Sequence, residues 1–339
     1  MESQRLNPLL IGLVTLIGIS CSSWAQDAPV RSFEQIADDV YWAGNSTHHT
    51  VLLVTDEGII LSDPLNREFS TWLKRELDER FGVPVRYVLY SHHHWDHASG
   101  GAVFEDTAQF IGHENMLAHL ALPSADTPLP AGADGQDRNG NGQIERAEAS
   151  GAFQENFELY DFDGDGALSG AEVTRGALND VRTPDITYAD RLTVKLGGKR
   201  AEMVYTGVHS HTDDMSIVVF PEASVGFMVD FISIVRPPRY IRGDQPIETW
   251  FAAIRVVEAQ GFEIAAGGHG TYASSSYVTL FREYLEELRD QVAAGIAAGR
   301  TVEELQESIY MEAYEDWISY AEFRASNIAG MYNMLTKEF

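Results

Sequence analysis

Six consecutive residues, His92-His93-His94-Trp95-Asp96-His97, constrain this chain more than any other feature. They follow residues 85–90, Val-Arg-Tyr-Val-Leu-Tyr, whose β-branched and aromatic content predicts a buried strand. In extended backbone, residues two apart point the same way. His92 and His94 can therefore face one cation together, with His93 turned away from both. Asp96 and His97 fall where the chain must turn, and could reach a second cation beside the first. Imidazole nitrogen and carboxylate oxygen are good zinc ligands. A solvated histidine run would explain neither the interleaved aspartate nor the strand before it.

Later residues extend the pattern. The segment Thr206-Gly207-Val208-His209-Ser210-His211-Thr212-Asp213-Asp214 offers two histidines, and its local spacing allows either one to approach the cluster. A strand-like run, 216–220, follows it. Asp230 ends the apolar run 225–229, and His269 stands in Gly267-Gly268-His269-Gly270 after an apolar stretch. Upstream, 50–54 and 58–61 read as a hairpin that leads into Ser62-Asp63-Pro64. Taken singly, a strand-end Asp is a turn former or helix cap, and a lone His before Gly is a loop residue. His48, His49, His113 and His119 read as structural or surface residues.

Taken in order, these residues resemble the metallo-β-lactamase superfamily over about residues 40–269. The resemblance implies an α/β fold, a four-layer αββα sandwich with metals at one edge. It implies that His92, His94 and His211 hold one metal, that Asp96, His97 and His269 hold another, and that Asp230 is shared. Asp63 matches the family's early strand-end aspartate, and Val229 stands where the family usually has Gly. The implied cofactors are two zinc ions, with iron as the alternative. The implied reaction is hydrolysis of a small-molecule ester, thioester, lactone or β-lactam by zinc-activated hydroxide, with Asp96 as the catalytic carboxylate. Two readings from other classes stand beside it: a mononuclear iron persulfide dioxygenase, whose ligand set is similar, and a non-catalytic calcium-dependent binding protein that uses the fold as a scaffold.

A second signal interrupts the first. Residues 137–148 and 161–172 both match a calcium loop of EF-hand type. The first offers Asp137, Asn139, Asn141, the Gln143 carbonyl and Glu148; the second offers Asp161, Asp163, Asp165, the Ala167 carbonyl and Glu172. Calcium takes six to eight hard oxygens, so one or two calcium ions are expected. Gly142 and Gly166 permit the sharp turn, and Ile144 and Leu168 could pair as a small strand. Phe153, Phe157 and Tyr160 fall at helical spacing before the second loop. Pro128-Leu129-Pro130-Ala131-Gly132-Ala133 cannot form the matching helix before the first. The segment 123–183 reads as an insertion into a hydrolase-like domain made of 26–122 and 184–339.

The N-terminus carries Arg5, an apolar run over 9–19 and Ser23-Trp24-Ala25, which reads as a secretory signal peptide, 1–25. The run is too short to span a membrane comfortably, so no membrane span is expected. A periplasmic or secreted location follows, with lipid anchoring at Cys21 as the rival. Cys21 is the only cysteine, which excludes disulfides and thiolate zinc ligands from the mature chain. The net charge of −27 argues against nucleic acid as a partner, because phosphate binding needs Lys and Arg. Residues 277–298 carry an amphipathic helical pattern, Thr301-Val302-Glu303-Glu304 is a capping-box-like start for the next helix, and an aromatic-rich segment spans 317–334. Arg236, Arg239, Tyr240 and Arg242 follow Asp230 in a proline-containing loop. They could bind an anionic substrate, but a solvated basic turn is the plainer reading. Oligomeric state and substrate identity are left open.

Overall fold

Residues 51–53 and 59–61 alternate between two cores, and that alternation sets the layers. Val51, Leu53 and Ile60 join one hydrophobic cluster, while Leu52, Ile59 and Leu61 join another. Successive strand residues face opposite ways, so a sheet patterned like this is buried on both sides. The computed structural model describes residues 29–209, 211–243 and 245–337. The expected signal segment 1–25, with Cys21, lies outside the described residues.

The first sheet has seven strands, ordered Arg31–Ala37, Val40–Asn45, His48–Thr55, Gly58–Ser62, Val85–Leu89, Gln109–His113 and Ile186–Tyr188. Its first four strands are antiparallel neighbours and the rest run parallel. The second has six, ordered Arg191–Leu196, Lys199–Tyr205, Ser216–Phe220, Val225–Val229, Ile264–Gly267 and Tyr272–Ser274. The helix Arg67–Phe81 covers the outer face of the first sheet with Phe69, Leu73 and Leu77. Each such burial contributes about 1.5–3 kcal/mol. The Asn66 side chain accepts from the Phe69 N–H to start this helix, and Gly82 ends it at φ 65°. Ile247–Glu258 and Ser276–Ala297 pack their apolar stripes into the cluster that holds the second sheet. The result is helix, sheet, sheet, helix: the expected αββα sandwich. Among the described residues no helix is long and apolar enough to cross a membrane.

The expected hairpin, the strand from Val85 and the strands ending near 205, 220 and 229 are present. The capping box at Thr301 and Glu304 forms as read and opens the helix Val302–Ser308; Tyr320–Thr336 follows. Sequence reading missed Arg31–Ala37, Val40–Asn45 and Arg191–Leu196, which have polar residues among their apolar ones.

The segment with the two acidic loops lies between Gln109–His113 and Ile186–Tyr188, which are adjacent parallel strands. It has a small core of its own, with Ile144, Phe157, Leu168 and Val173 buried together. Ile144 pairs with Leu168 in a two-stranded antiparallel sheet. The loops repeat one hydrogen-bond pattern. In the first, Asp137 accepts from the N–H groups of Gly140 and Gly142, and Glu148 from Arg138 and Asn139. In the second, Asp161 accepts from Gly164 and Gly166, and Glu172 from Phe162 and Asp163. The helix expected over Phe153–Tyr160 breaks at Asn156 into Ala152–Glu155 and Phe157–Tyr160. Asn156 Nδ2 donates to the Ala152 carbonyl, a side-chain bond that competes with the helix ladder.

Candidate metal centre

Four strand ends of the two sheets meet at one edge of the sandwich. Val85–Leu89 leads into His92–His97, Gly58–Ser62 into Asp63, Val225–Val229 into Asp230 and Ile264–Gly267 into His269. Ligand sites of open α/β sheets sit at the carboxyl ends of strands. The histidine run is a series of bends before the short helix Trp95–Ala98, not extended strand, so the i, i+2 argument holds in outcome but not in backbone. Asp63 causes the turn: its carboxylate accepts from the Ser91 N–H at 2.8 Å and from Ser91 Oγ at 2.7 Å.

The expected residues converge in two groups. Ligand atoms of His92, His94, His211 and Asp230 lie within 4.8 Å of one another, as do those of Asp96, His97, Asp230 and His269. Asp230 belongs to both. Its Oδ2 is 3.8 Å from His92 Nε2 and 3.5 Å from His211 Nε2; its Oδ1 is 3.0 Å from His97 Nε2 and 3.3 Å from His269 Nε2. Of the two histidines in the 206–214 loop, His211 reaches the cluster, with Nε2 3.2 Å from His92 Nε2. His209 is buried instead against the Phe231 ring, its Nε2 3.1 Å from Thr206 Oγ1.

These contacts are those of a site with room for cations. His92 Nε2 faces His211 Nε2, and His97 Nε2 faces His269 Nε2 at 3.3 Å. Two ring nitrogens that face each other cannot both be satisfied as acceptors. Asp230 Oδ1 is buried and close to two imidazoles, yet no hydrogen bond reaches it in good geometry. A cation among these atoms would satisfy all of them.

Electrostatics suit the same purpose. Burial, helped by neighbouring imidazoles, drives His92 well below the usual histidine value and brings His94 to about 4. Burial likewise takes His211 well below its usual value, against the pull of Asp230. All three are therefore neutral at pH 7, with lone pairs free for a metal. His97 behaves differently. Burial opposes its charge, but Asp230 and Asp96 outweigh burial and raise it well above the usual value. Its Nδ1 is 3.5 Å from Asp63 Oδ2, an ion-pair distance without a hydrogen bond in good geometry. Ser91 Oγ, 2.8 Å from His92 Nδ1, is within hydrogen-bond distance of that ring.

Backbone strain marks the site. Val229 adopts φ 55°, a left-handed conformation costly for a β-branched residue, where glycine is the expected residue. A side chain at Gly268 would crowd the site, since a Cβ there would lie 3.1 Å from Asp230 Oδ1 and from His97 Cε1.

His48, read as structural or surface rather than a ligand, stays outside both groups but faces the site: its Nε2 is 3.3 Å from Asp96 Oδ2, and its ring meets His269 edge-on at 4.4 Å. The cause is a bridge between His48 and His269, which no local sequence signal announces. Arg239 and Arg242 are exposed, as a solvated turn requires, and with Arg236 they line the cleft of about 350 Å³ above the cluster. The other histidines are structural as read. His49 stacks on Trp42 at 3.8 Å, and His113 on Tyr205 at 4.0 Å. His93, turned away as expected, lies 3.0 Å from Asp214 Oδ1 and stacks on His119. That stacking, at 3.8 Å and 9°, sends their in-plane lone pairs along parallel planes, so the His93, His119 and Asp214 group does not suit one cation.

In the segment with the two acidic loops, Asp161, Asp163 and Glu172 bring carboxylate oxygens within 4.8 Å of one another. Among the described residues the first loop makes no such trio, because Asn139 and Asn141 replace two of its acids and donate to Glu145 instead.

Comparison with known proteins agrees with this geometry. The family model described as the metallo-beta-lactamase superfamily matches residues 43–293. Among solved structures, a metallo-beta-lactamase from Pontibacter korlensis superposes with a TM-score of 0.50 at 17% identity, covering 74% of this chain and 96% of that one. The stereoselective inverting sec-alkylsulfatase Pisa1 from Pseudomonas sp. superposes with a TM-score of 0.62 at 13% identity, covering 91% of this chain and 51% of that one. The chain thus spans about half the length of the alkylsulfatase, and at these identities the likeness is one of fold. No curated protein sequence matches the chain.

Proposed function

We propose, for a chain that belongs to the metallo-beta-lactamase superfamily, the activity of an exported dinuclear zinc hydrolase acting on a small-molecule ester, thioester, lactone or β-lactam. The observation that carries this reading is the position of Asp230, whose two oxygens serve two separate groups of imidazoles. His92, His94 and His211 would hold one ion; Asp96, His97 and His269 would hold the other; Asp230 would bridge them. Bound there, the metals would supply Lewis acidity toward the attacked oxygen and acidify a water molecule at neutral pH.

The chain's own residues supply the rest. Ser91, itself bonded to Asp63, holds the ring of His92, and the Asp63 carboxylate faces the His97 ring at 3.5 Å. Burial pushes the Asp96 carboxyl up, but His97 and His48 outweigh burial and hold it below the usual carboxylate range. Asp96 is therefore ionised and can orient a water by accepting its hydrogen, with His48 Nε2 steadying Asp96 Oδ2. Burial keeps His48 itself below its usual value, so its neutral N–H is available to donate to Asp96.

Calcium, in this reading, binds the two inserted loops and stabilises that segment rather than entering the chemistry. The repeated hydrogen-bond pattern and the Asp161, Asp163 and Glu172 trio support it.

The test is elemental analysis of protein purified from its native compartment, combined with an ester, thioester, lactone and β-lactam panel with and without chelator. About two zinc per chain and chelator-sensitive turnover are expected. One iron per chain with persulfide oxidation would replace the hydrolase by a dioxygenase. A metal-free protein without turnover would leave only a calcium-dependent binding protein.

A further inference from the structure

We infer that the cleft recognises a substrate carrying a compact oxyanion (sulfate, phosphate or carboxylate) next to an apolar body, with Arg236, Arg239 and Arg242 as the recognition groups. The inference deepens the hydrolase reading above and rests on it for the fate of the bound molecule.

The three arginines share the cleft with His94, Asp96 and Asp230. A cleft of about 350 Å³ puts an anion held by them within a few bonds of the metal cluster. The chain has 51 acidic and 24 basic residues, so acidic neighbours are plentiful. Even so, among the described residues none of these three guanidiniums has an ion pair or a side-chain hydrogen bond, although other arginines such as Arg31, Arg67, Arg191 and Arg282 do. Arg236 Nε is buried without a partner, and its guanidinium is fixed 5.0 Å above the Phe323 ring. Unpaired buried cation surface is costly, and an incoming oxyanion would satisfy it through the planar fork of donors.

The rest of the cleft suits a hydrocarbon. Trp95 and Tyr240 are 37% and 57% exposed, and Trp250 and Pro238 continue the apolar wall. Exposed aromatic surface beside unpaired arginines fits an amphiphilic anion better than a neutral ester. With a net charge of −27 the protein repels anions at a distance, so anion capture requires a local cationic cluster.

Calorimetry on the full chain tests the inference. The probes are decyl sulfate, decyl phosphate and decanoate, each below its micelle concentration, with neutral 1-decanol as control, all at one ionic strength. Zinc-loaded and chelator-stripped protein are titrated in parallel. The expected result is at least one anion bound about tenfold or more tightly than decanol in both forms, and the preferred headgroup identifies the anion. Arg239→Gln with Arg242→Gln, both exposed and remote from the core, should weaken anion binding by about tenfold or more while leaving decanol binding unchanged. Arg236→Gln should weaken it further. Unchanged anion affinity in the double variant, equal affinity for decanol, or complete loss of anion binding on stripping the metal would each overturn the assignment. Metal content measured on the same samples keeps the two readings apart: a chain that holds no zinc yet binds decyl sulfate through its arginines loses the hydrolase reading and keeps the anion site.

Discussion

His97 Nε2 and His269 Nε2 face each other at 3.3 Å although 172 positions separate them in the chain. The contact ties the histidine run at the end of one sheet to the loop after Ile264–Gly267 in the other, so the two sheets must be docked for it to exist. The packing that builds the sandwich is thus the same packing that brings the two groups of histidines and aspartates together.

The first prediction follows from the unequal membership of the two groups. His269 serves one group, whereas Asp230 serves both. His269→Ala should retain about one zinc per chain, and Asp230→Ala should fall below one. Elemental analysis of folded protein, with circular dichroism as the fold control, checks both. Equal zinc content in the two variants would contradict the shared role of Asp230.

In the zinc reading Asp63 is a positioning residue. Its carboxylate accepts from Ser91, which reaches His92, and lies 3.5 Å from His97 Nδ1. Loss of such outer support typically lowers metal affinity about 10–100-fold. Asp63→Asn should therefore weaken zinc binding by that amount in a competitive chelator titration while secondary structure persists. Burial pushes the Asp63 carboxyl up, against His97 and Ser91, so the neutral Asn suits the space.

What could be read beforehand divides by the range of the interaction. The candidate residues sit in compact motifs, and each motif follows a hydrophobic run, so the grouping of His92, His94, Asp96, His97, Asp230 and His269 is legible in the sequence. Local spacing alone leaves His209 and His211 open; the family resemblance favours His211, and the packing of His209 on Phe231 agrees with it. His48 was hidden because its part depends on a bridge to His269 in the other half of the chain. The direction of the arginine loop is set by Arg236 lying over Phe323, a residue of the last helix. Such information is absent from any local window.

Asp96 and His48 make a separable pair. In the zinc-hydrolase reading Asp96 is both a ligand and the carboxylate that orients water, so Asp96→Ala should lower turnover about 10²–10⁴-fold or more. His48→Ala leaves the metal groups intact and removes one contact at 3.3 Å to Asp96. It should lower kcat by about tenfold with zinc content unchanged. Steady-state kinetics beside metal analysis distinguishes the two. Full activity in Asp96→Ala would remove it from the mechanism.

The two acidic loops should differ in calcium affinity. Glu172 is only 4% exposed, and the second loop alone supplies a carboxylate trio. Glu172→Gln should abolish the tighter calcium site and the thermal stabilisation that calcium provides, about 2.7 kcal/mol when calcium stands a hundredfold above Kd. Glu148→Gln, in the exposed first loop, should change the melting temperature much less. Zinc content should be the same in both. Differential scanning calorimetry in calcium and in a calcium chelator reads the difference.

His49 should make the metal-free protein acid-sensitive. It is 5% exposed and stacked on Trp42, and burial, aided by His269 and His48, brings it down to about 4. The folded state therefore disfavours its protonation, while the unfolded chain takes up a proton near 6.5. Between those values the unfolded state binds more protons, so stability is full above about pH 6.5 and is lost as pH falls toward 4. The span corresponds to about 3 kcal/mol from this one ring. His49 Nδ1 has no hydrogen-bond partner, so His49→Phe keeps the stacked shape and removes the titration. Denaturant unfolding at several pH values with zinc removed should show a shallower loss of stability in the variant between pH 6.5 and 4. Parallel pH profiles for the two proteins would mean that His49 protonates as easily in the folded state as in the unfolded chain.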